Sequence, residues 1–349
     1  MVKHGGVGRP GEVINTLLTS AGRRNYLVEY FREALRGRGQ VFAADAREGA
    51  PALQEADGVV VVPPVSSPHY VDALLEFCEG QQIELLVPLS DFELPGLAAA
   101  RARFAALGTT ALVSSPAVVG RCFDKWATYA FLRAEGFRTP ATYLSLADAQ
   151  RALSEGRERF PLVLKPRHGS AALGLEFVYD DDELELGFEL LSRRLARTTL
   201  AYGYDPEQTV LVQAFVAGDE YSLDLVCDLS GRYVTTLAKQ KLGLRAGDTD
   251  SAVTVSDPVL SDLGRDLARA LGPVGVADCD AFMTPEGPTV LELNPRFGNA
   301  YPFAHVAGAD LPAAVVAWVR GDPPEPGWLR AEPGVTAARY SRLMLTSPG

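Results

Sequence analysis

The sequence reads as an α/β protein with a doubly wound parallel sheet at its N-terminal end, followed by an α+β module. Three observations carry that reading. Apolar strand-like runs alternate with helical spacing through the first 115 residues. After Pro116 the order changes to strands, a helix, then strands again. Residues 276–296, VADCDAFMTPEGPTVLELNPR, then show two runs of period-2 alternation around a turn-rich break at residues 284–288.

Taken in order, residues 13–19 form an apolar strand and residues 20–24 a loop. Residues 25–36 have helical spacing through Leu27, Tyr30, Phe31, Ala34 and Leu35. A second strand, 41–44, ends at Asp45, and 59–62 and 85–89 read as further buried strands with a helix over 70–79 between them. Such alternation implies a parallel, doubly wound sheet. Gly22 before a helix and Asp45 about twenty residues on are what a dinucleotide fingerprint asks for. The GxGxxG pattern is missing, however, and Arg23 and Arg24 occupy the turn. A nicotinamide site is therefore not expected; the better reading is a small α/β domain presenting Ser20, Arg23 and Asp91 at its strand ends.

Farther along, residues 124–135 form a helix closed by Gly136. Residues 160–165 form a strand ending in Lys165 and running into a small-residue loop, His168-Gly-Ser-Ala-Ala-Leu-Gly174. A strand over 175–179 and a charge-laced helix over 182–197 follow. Residues 210–216 and 221–228 are strands on either side of the turn Ala217-Gly-Asp219.

The bulk properties narrow the function classes. At 349 residues the chain exceeds the usual size of one domain. No apolar run approaches the roughly 20 residues of a membrane span, and residues 1–6 lack a secretory h-region. The cysteines Cys78, Cys122, Cys227 and Cys279 are scattered without a CxxC pair, as expected of reduced core residues in a cytoplasmic protein. A net charge of −11 argues against nucleic acid, since phosphate backbones want a basic surface.

The hairpin carries the first chemical signal. A symmetric register about the 284–288 break places Met283 opposite Thr289 and Asp280 opposite Glu292. Asn294 shares the face of Glu292 because strand side chains alternate. Opposed residues lie about 4.5–5.5 Å apart between Cβ atoms, and like charges there repel. A hard divalent cation with oxygen ligands would offset that repulsion; two acids and an amide on a wet sheet face is the alternative. In the loop after Lys165, the backbone N–H groups at Gly169, Ser170 and Gly174 can approach a phosphate closely. It is not a Walker A loop, because the lysine precedes the glycines, and a bare hairpin tip remains open. Lys125, in Phe123-Asp-Lys-Trp126, starts a helix and taken alone reads as a solvated lysine.

The order of these parts resembles the ATP-grasp superfamily, and within it the carbamoyl-phosphate-synthase-like carboxylate–amine ligases. The resemblance runs from Asn15 to Arg320. Its most specific pieces are Leu164-Lys-Pro-Arg-His-Gly-Ser170, Gly218-Asp-Glu-Tyr-Ser-Leu-Asp224 and Leu291-Glu-Leu-Asn-Pro-Arg-Phe-Gly298, with Arg245-Ala-Gly-Asp-Thr249 beside them. It implies an ATP-grasp fold behind an N-terminal α/β domain over 1–115, a central region with a phosphate-loop lid over 116–217, and a C-terminal catalytic domain over 218–349. It also implies that Lys125 and Lys165 hold the α/β-phosphates of ATP and that the Gly169–Gly174 loop, with Ser170, closes over the β/γ-phosphates. Gln213, Phe215 and Val216 would belong to the hinge strand that reads adenine, and Glu220 would take the ribose hydroxyls. Asp280, Glu292 and Asn294 would ligate one or two Mg²⁺ ions, with Mn²⁺ as a substitute. Arg296, Arg245 and Lys241 would serve the catalytic step.

Three departures stand out: alanines in Ser170-Ala-Ala-Leu-Gly174 where relatives carry glycine, Ala214 after Gln213 in place of an acid, and Asn299 in place of a second glycine. The function implied is amide formation between small-molecule carboxylate and amine substrates, amino acids among them, through an acylphosphate. A small-molecule kinase and a silent nucleotide-binding module are the competing readings, and homodimers are common in the families resembled.

Overall fold

The computed structural model describes residues 13–169, 174–198 and 208–345. Its N-terminal part follows the strand–helix alternation: β1 Thr16–Thr19, α1 Asn25–Leu35, β2 Val41–Asp45, α2 Pro51–Glu55, β3 Gly58–Val61, α3 Tyr70–Gly80, β4 Leu85–Pro88, α4 Leu94–Ala106 and β5 Thr110–Ala111. The strands form a parallel sheet in the order β3-β2-β1-β4-β5. β1, β2 and β4 are buried on both faces, which is why they read as continuous apolar runs. The strand order reverses between β1 and β4, so the crevice of this sheet opens where Ser20 and Asp91 leave their strands.

Two helices lead away, α5 Pro116–Phe123 and α6 Lys125–Ala134. The sequence reading began α6 at Asp124. In the structure Asp124 is its N-cap, and its carboxylate accepts from the N–H groups of Trp126 (2.9 Å) and Ala127 (3.4 Å). That cap sets Lys125 at the first helical position.

The second sheet comprises β6 Thr142–Tyr143, β7 Leu162–Pro166, β8 Glu176–Val178 and β9 Val210–Ala214 in the order β6-β9-β7-β8, backed by α7 Leu146–Ser154 and α8 Asp181–Leu195. Leu162, Leu164, Val210 and Val212 pack under these helices. Alternation therefore turns Val163, Lys165 and Gln213 to the opposite face.

The third sheet is antiparallel: β10 Asp219–Cys227, β11 Tyr233–Arg245, β12 Asp248–Val255, then α9 Pro258–Leu271, β13 Val276–Thr284 and β14 Gly287–Asn294. After α10 Tyr301–Val306 and α11 Leu311–Arg320, β15 Thr336–Ala338 completes the order β14-β13-β10-β11-β12-β15. Leu223, Leu225, Cys227, Ala277, Cys279 and Leu293 fill one face, against α5, α6 and α9. Ser222, Asp224, Lys239, Lys241, Asp278 and Asp280 fall on the other. All four cysteines are free and buried, and no helix among the described residues is long and apolar enough to cross a membrane.

Two expectations need correction. The strands expected over 210–216 and 221–228 are β9 Val210–Ala214 and β10 Asp219–Cys227, so Asp219 belongs to a strand and not to the turn; they lie in different sheets, and residues 215–218 cross between them. The period-2 pattern is continuous across the crossing, so periodicity alone cannot see a change of sheet. In the β13–β14 hairpin, Asp280 does pair with Glu292 and Asp278 with Asn294, but Met283 faces Pro288, not Thr289. The turn is one residue tighter than symmetry about the proline-rich break suggests. A bulge at Leu291, between the Asp280 and Ala281 pairs, restores the register.

Helix α9 lies close against β11. A Cβ on Gly264 would meet the Thr236 Oγ1 at 2.2 Å, whereas exposed Gly120 in α5 has open space around it. Gly264→Val is expected to destabilise the fold by about 2–3 kcal/mol through overpacking. Gly120→Ala should stabilise it by up to about 1 kcal/mol through helix propensity. Urea unfolding midpoints with unchanged slopes measure both.

Candidate functional site

A cavity of about 690 Å³ lies between the four-stranded and six-stranded sheets. One wall carries Val163, Lys165 and Gln213, and the other carries Glu220, Ser222, Lys241, Asp278, Asp280, Glu292 and Asn294. Phe177 and Phe215 meet edge to face at 5.9 Å over one end. Arg296, Asn299 and Ala300 line the cavity as well, where the chain leaves β14.

Two lysines converge on this space. The Lys165 side chain is 6% exposed; its Nζ donates to Gln213 Oε1 (2.8 Å), and Gln213 Nε2 in turn donates to the Thr142 hydroxyl (2.8 Å). Burial, reinforced by the Lys125 charge, lowers the Lys165 ammonium to a pKa of about 7. Lys125 Nζ donates to the Gly169 carbonyl (2.5 Å) and lies 3.9 Å from Glu292 Oε2. Its helix start is clamped from β7: Arg167 grips Asp124 with Nε on Oδ1 (2.8 Å) and Nη2 on Oδ2 (2.6 Å), and the Lys125 N–H donates to the Arg167 carbonyl (3.1 Å). The bidentate fork ties the two lysine-bearing elements together.

Facing them is the acid row that the hairpin predicts. Within this chain the repulsion is offset by a lysine: Lys241 Nζ sits 2.7 Å from both Glu220 Oε1 and Asp280 Oδ1. Burial alone would lower the Lys241 pKa, but the Asp280 and Glu220 charges outweigh it and raise it. The Asp280 carboxyl is pushed upward by burial and by Asp278 and Glu220, with Lys241 opposing. Asp278 accepts from the Ser222 hydroxyl at 2.8 Å, as a structural carboxylate would. Among the described residues, no group of three or more His, Cys, Asp or Glu side chains is arranged to hold a metal ion. The oxygen donors expected to take a cation here are the Asp280 and Glu292 carboxylates and the Asn294 amide, with Glu220 and Asp278 lining the same wall.

Most of the sequence candidates thus meet in one place: Lys125, Lys165, Gly169, Gln213, Phe215, Val216, Glu220, Lys241, Asp280, Glu292, Asn294 and Arg296 all line the cavity. Arg245 does not. It ends β11 at an exposed hairpin tip whose Leu244 and Gly247 do line the cavity, after the register shifts between Lys241 and Leu244. Gly174 packs against Pro166 and Leu191 with φ 73°, and Ser170 lies outside the described residues. His168 is buried beside Phe123. Sequence reasoning missed the Asp124–Arg167 clamp and the buried Lys239–Asp224 pair (2.5 Å). Asp124 and Arg167 lie 43 positions apart, and no local pattern reports such a contact.

A polyphosphate bound beside Lys165 would favour its charged form. Binding of ADP at pH 8 should therefore take up a proton, and the uptake should fade toward pH 6, where the lysine is already protonated in the free protein. Titration calorimetry in two buffers of different ionisation enthalpy measures this; equal heats in both at pH 8 would refute the assignment.

A model of the PylC-like N-terminal domain matches residues 16–112, and a model of the ATP-grasp domain matches residues 122–300. The carbamoyl phosphate synthase large chain of Mycobacterium tuberculosis (strain CDC 1551 / Oshkosh) is 26% identical over 218 residues. That match covers 59% of this chain but only 18% of the much longer relative. Among solved structures, biotin carboxylase from Campylobacter jejuni in its β-γ-ATP complex superposes with a TM-score of 0.72 at 15% identity, over 93% of this chain and 75% of that one. L-amino acid ligase from Bacillus licheniformis does so with a TM-score of 0.67 at 18% identity, over 92% and 78%. At these identities the structural likeness speaks for the fold. With its ATP-grasp match spanning more than half of its length, the chain belongs to the ATP-grasp family.

Proposed function

We propose that the chain is an ATP-dependent ligase that joins a carboxylate to an amine through an acylphosphate, releasing ADP and phosphate. One observation carries the reading: two converging lysines, one of them buried with its ammonium on the Gln213 amide, face a carboxylate row that continues through Asn294 to Arg296. A surplus of buried positive charge on one wall calls for an anion; oxygen donors on the other suit a hard cation bound to it.

In this reading Lys125 and Lys165 hold phosphate oxygens as point charges. The apolar end, with Val163, Phe177, Phe215 and Val216, takes the adenine, and Glu220 accepts from the ribose hydroxyls. Glu292, Asn294 and Asp280, the last shared with Lys241, would hold Mg²⁺, which when bound neutralises charge building on the phosphates. A substrate carboxylate oxygen attacks the γ-phosphorus, and the bond to the ADP oxygen breaks. The amine nitrogen then attacks the acyl carbon, the carbon–oxygen bond breaks, and phosphate leaves. Arg296, 5% exposed at the side chain, would stabilise negative charge on the transferring group and the tetrahedral intermediate. Lys241 keeps the acid row compatible with one sheet face while nucleotide is absent. The L-amino acid ligase among the structural neighbours makes amino acids the first substrates to try.

Purified protein with ATP, Mg²⁺ and pairs of L-amino acids should release ADP and phosphate only when both acid and amine are present. Added hydroxylamine should trap the activated acyl group as a hydroxamate. AMP and pyrophosphate as products would overturn the reading, and a stable phosphoester would make the protein a kinase. Glu292→Gln is expected to lower the turnover by about a hundredfold, the scale of losing one electrostatic stabiliser of the transition state.

A further inference from the structure

Arg296 follows the end of β14 in the six-stranded sheet, yet its ion partner comes from the N-terminal sheet. Arg296 Nη2 donates to Asp91 Oδ2 at 2.7 Å across 205 positions of sequence. Asp91 stands three residues after the end of β4, beside the point where the strand order of the N-terminal sheet reverses. In doubly wound sheets that crevice is where ligands are met; here a residue of its rim reaches into the neighbouring domain's site.

The loop that carries Asp91 is held from beneath. Glu93 is 1% exposed, and its Oε1 accepts from the N–H groups of Leu89 and Ser90, both at 2.9 Å. Its Oε2 accepts from the Tyr70 hydroxyl (2.5 Å), and Tyr70 Oη lies 3.2 Å from Ser20 Oγ at the end of β1. One buried carboxylate thereby joins the exits of β1 and β4 and presents Asp91 on a braced turn.

The guanidinium needs that carboxylate. Arg24, in the loop after β1, lies alongside: its Nη1 and Arg296 Nη1 donate to the same Phe297 carbonyl, at 3.3 and 3.1 Å. Two cations drawn to one carbonyl repel each other, and burial together with Arg296 lowers the Arg24 pKa. Burial would raise Asp91, but Arg296 overrides it and keeps the carboxyl ionised below its ordinary range. Without Asp91, the two guanidiniums would share a buried space with weaker compensation.

We infer that Asp91 is a positioning residue: through its ion pair the N-terminal domain fixes the Arg296 guanidinium against the cavity and completes the active site from outside the catalytic sheet. The inference rests on the proposed role of Arg296. Asp91→Asn keeps the size of the side chain and removes the charge. In the full-length protein it should lower kcat by about tenfold or more while leaving the affinity for ADP with Mg²⁺ within about twofold. Asp91→Glu should recover part of kcat. Asp72→Asn, which breaks an exposed N-terminal-domain pair with Arg103 (2.7 Å), should change neither. Asp91→Asn with unchanged kcat would overturn the inference, as would Asp91→Glu behaving no better than Asn.

A second measurement does not need turnover. With ¹⁵N-labelled arginine, a guanidinium held by Asp91 gives resolved Nη resonances, identified by their loss in Arg296→Lys; Asp91→Asn should average them, and their persistence would refute the ion pair as the restraint. If the wild-type protein turned over no acid–amine pair, the ligase reading would fall and these resonances alone would decide the inference.

Discussion

The structure depends on how charge is balanced on one face of the six-stranded sheet. Asp224, Asp278, Asp280, Glu220 and Glu292 crowd a surface that faces a cavity or a domain contact instead of bulk water. Each is held by a specific partner: Lys239 for Asp224, Ser222 for Asp278, Lys241 for Asp280 and Glu220, and Lys125 at longer range for Glu292. Buried acids unpaired in this way would become protonated or unfold the sheet. Lys241 offsets the two acids it touches, yet the face remains an oxygen-rich wall opposite two lysines whose own charges are less well met.

That imbalance organises the rest. The four-stranded sheet turns its apolar side to α7 and α8, so its other side is left to supply Val163, Lys165 and Gln213. The crossing between β9 and β10 lets the two sheets face each other, with the cavity between them. The Asp124–Arg167 fork then couples the starts of α6 and of the loop after β7, so both lysines are set relative to one another before any ligand arrives. The N-terminal sheet contributes from its crevice edge, through Asp91 and Arg24, to the end of the cavity where Arg296 stands.

Much of this was legible from residue order. Continuous apolar runs announced a parallel sheet because both faces of β1, β2 and β4 are covered. Asp280 opposite Glu292 was legible for a less secure reason. The turn was read one residue too wide, and the bulge at Leu291 adds one residue back, so the two errors cancel at the acids. A bulge leaves no periodic trace when its extra residue is itself apolar, as leucine is here. The β11–β12 hairpin escaped notice because its strands mix Thr, Lys, Gln and Gly, and one of its faces serves the site in place of a core. Arg245 resembles a site residue by its neighbours in sequence, yet it is those neighbours, Leu244 and Gly247, that line the cavity.

The sequence alone therefore determined the class of fold, the alternation that sorts residues onto sheet faces, and the residue types that gather around the cavity. These are local properties, set by side-chain period, apolar runs and short motifs. Tertiary structure alone decided which charges meet. Lys241 between Glu220 and Asp280, Arg167 on Asp124, and Arg296 on Asp91 join positions from 21 to 205 apart, and only folding brings them within hydrogen-bond reach. The physical reason is that pairing energies fall off within a few ångströms, while the sequence orders residues along a chain and not in space.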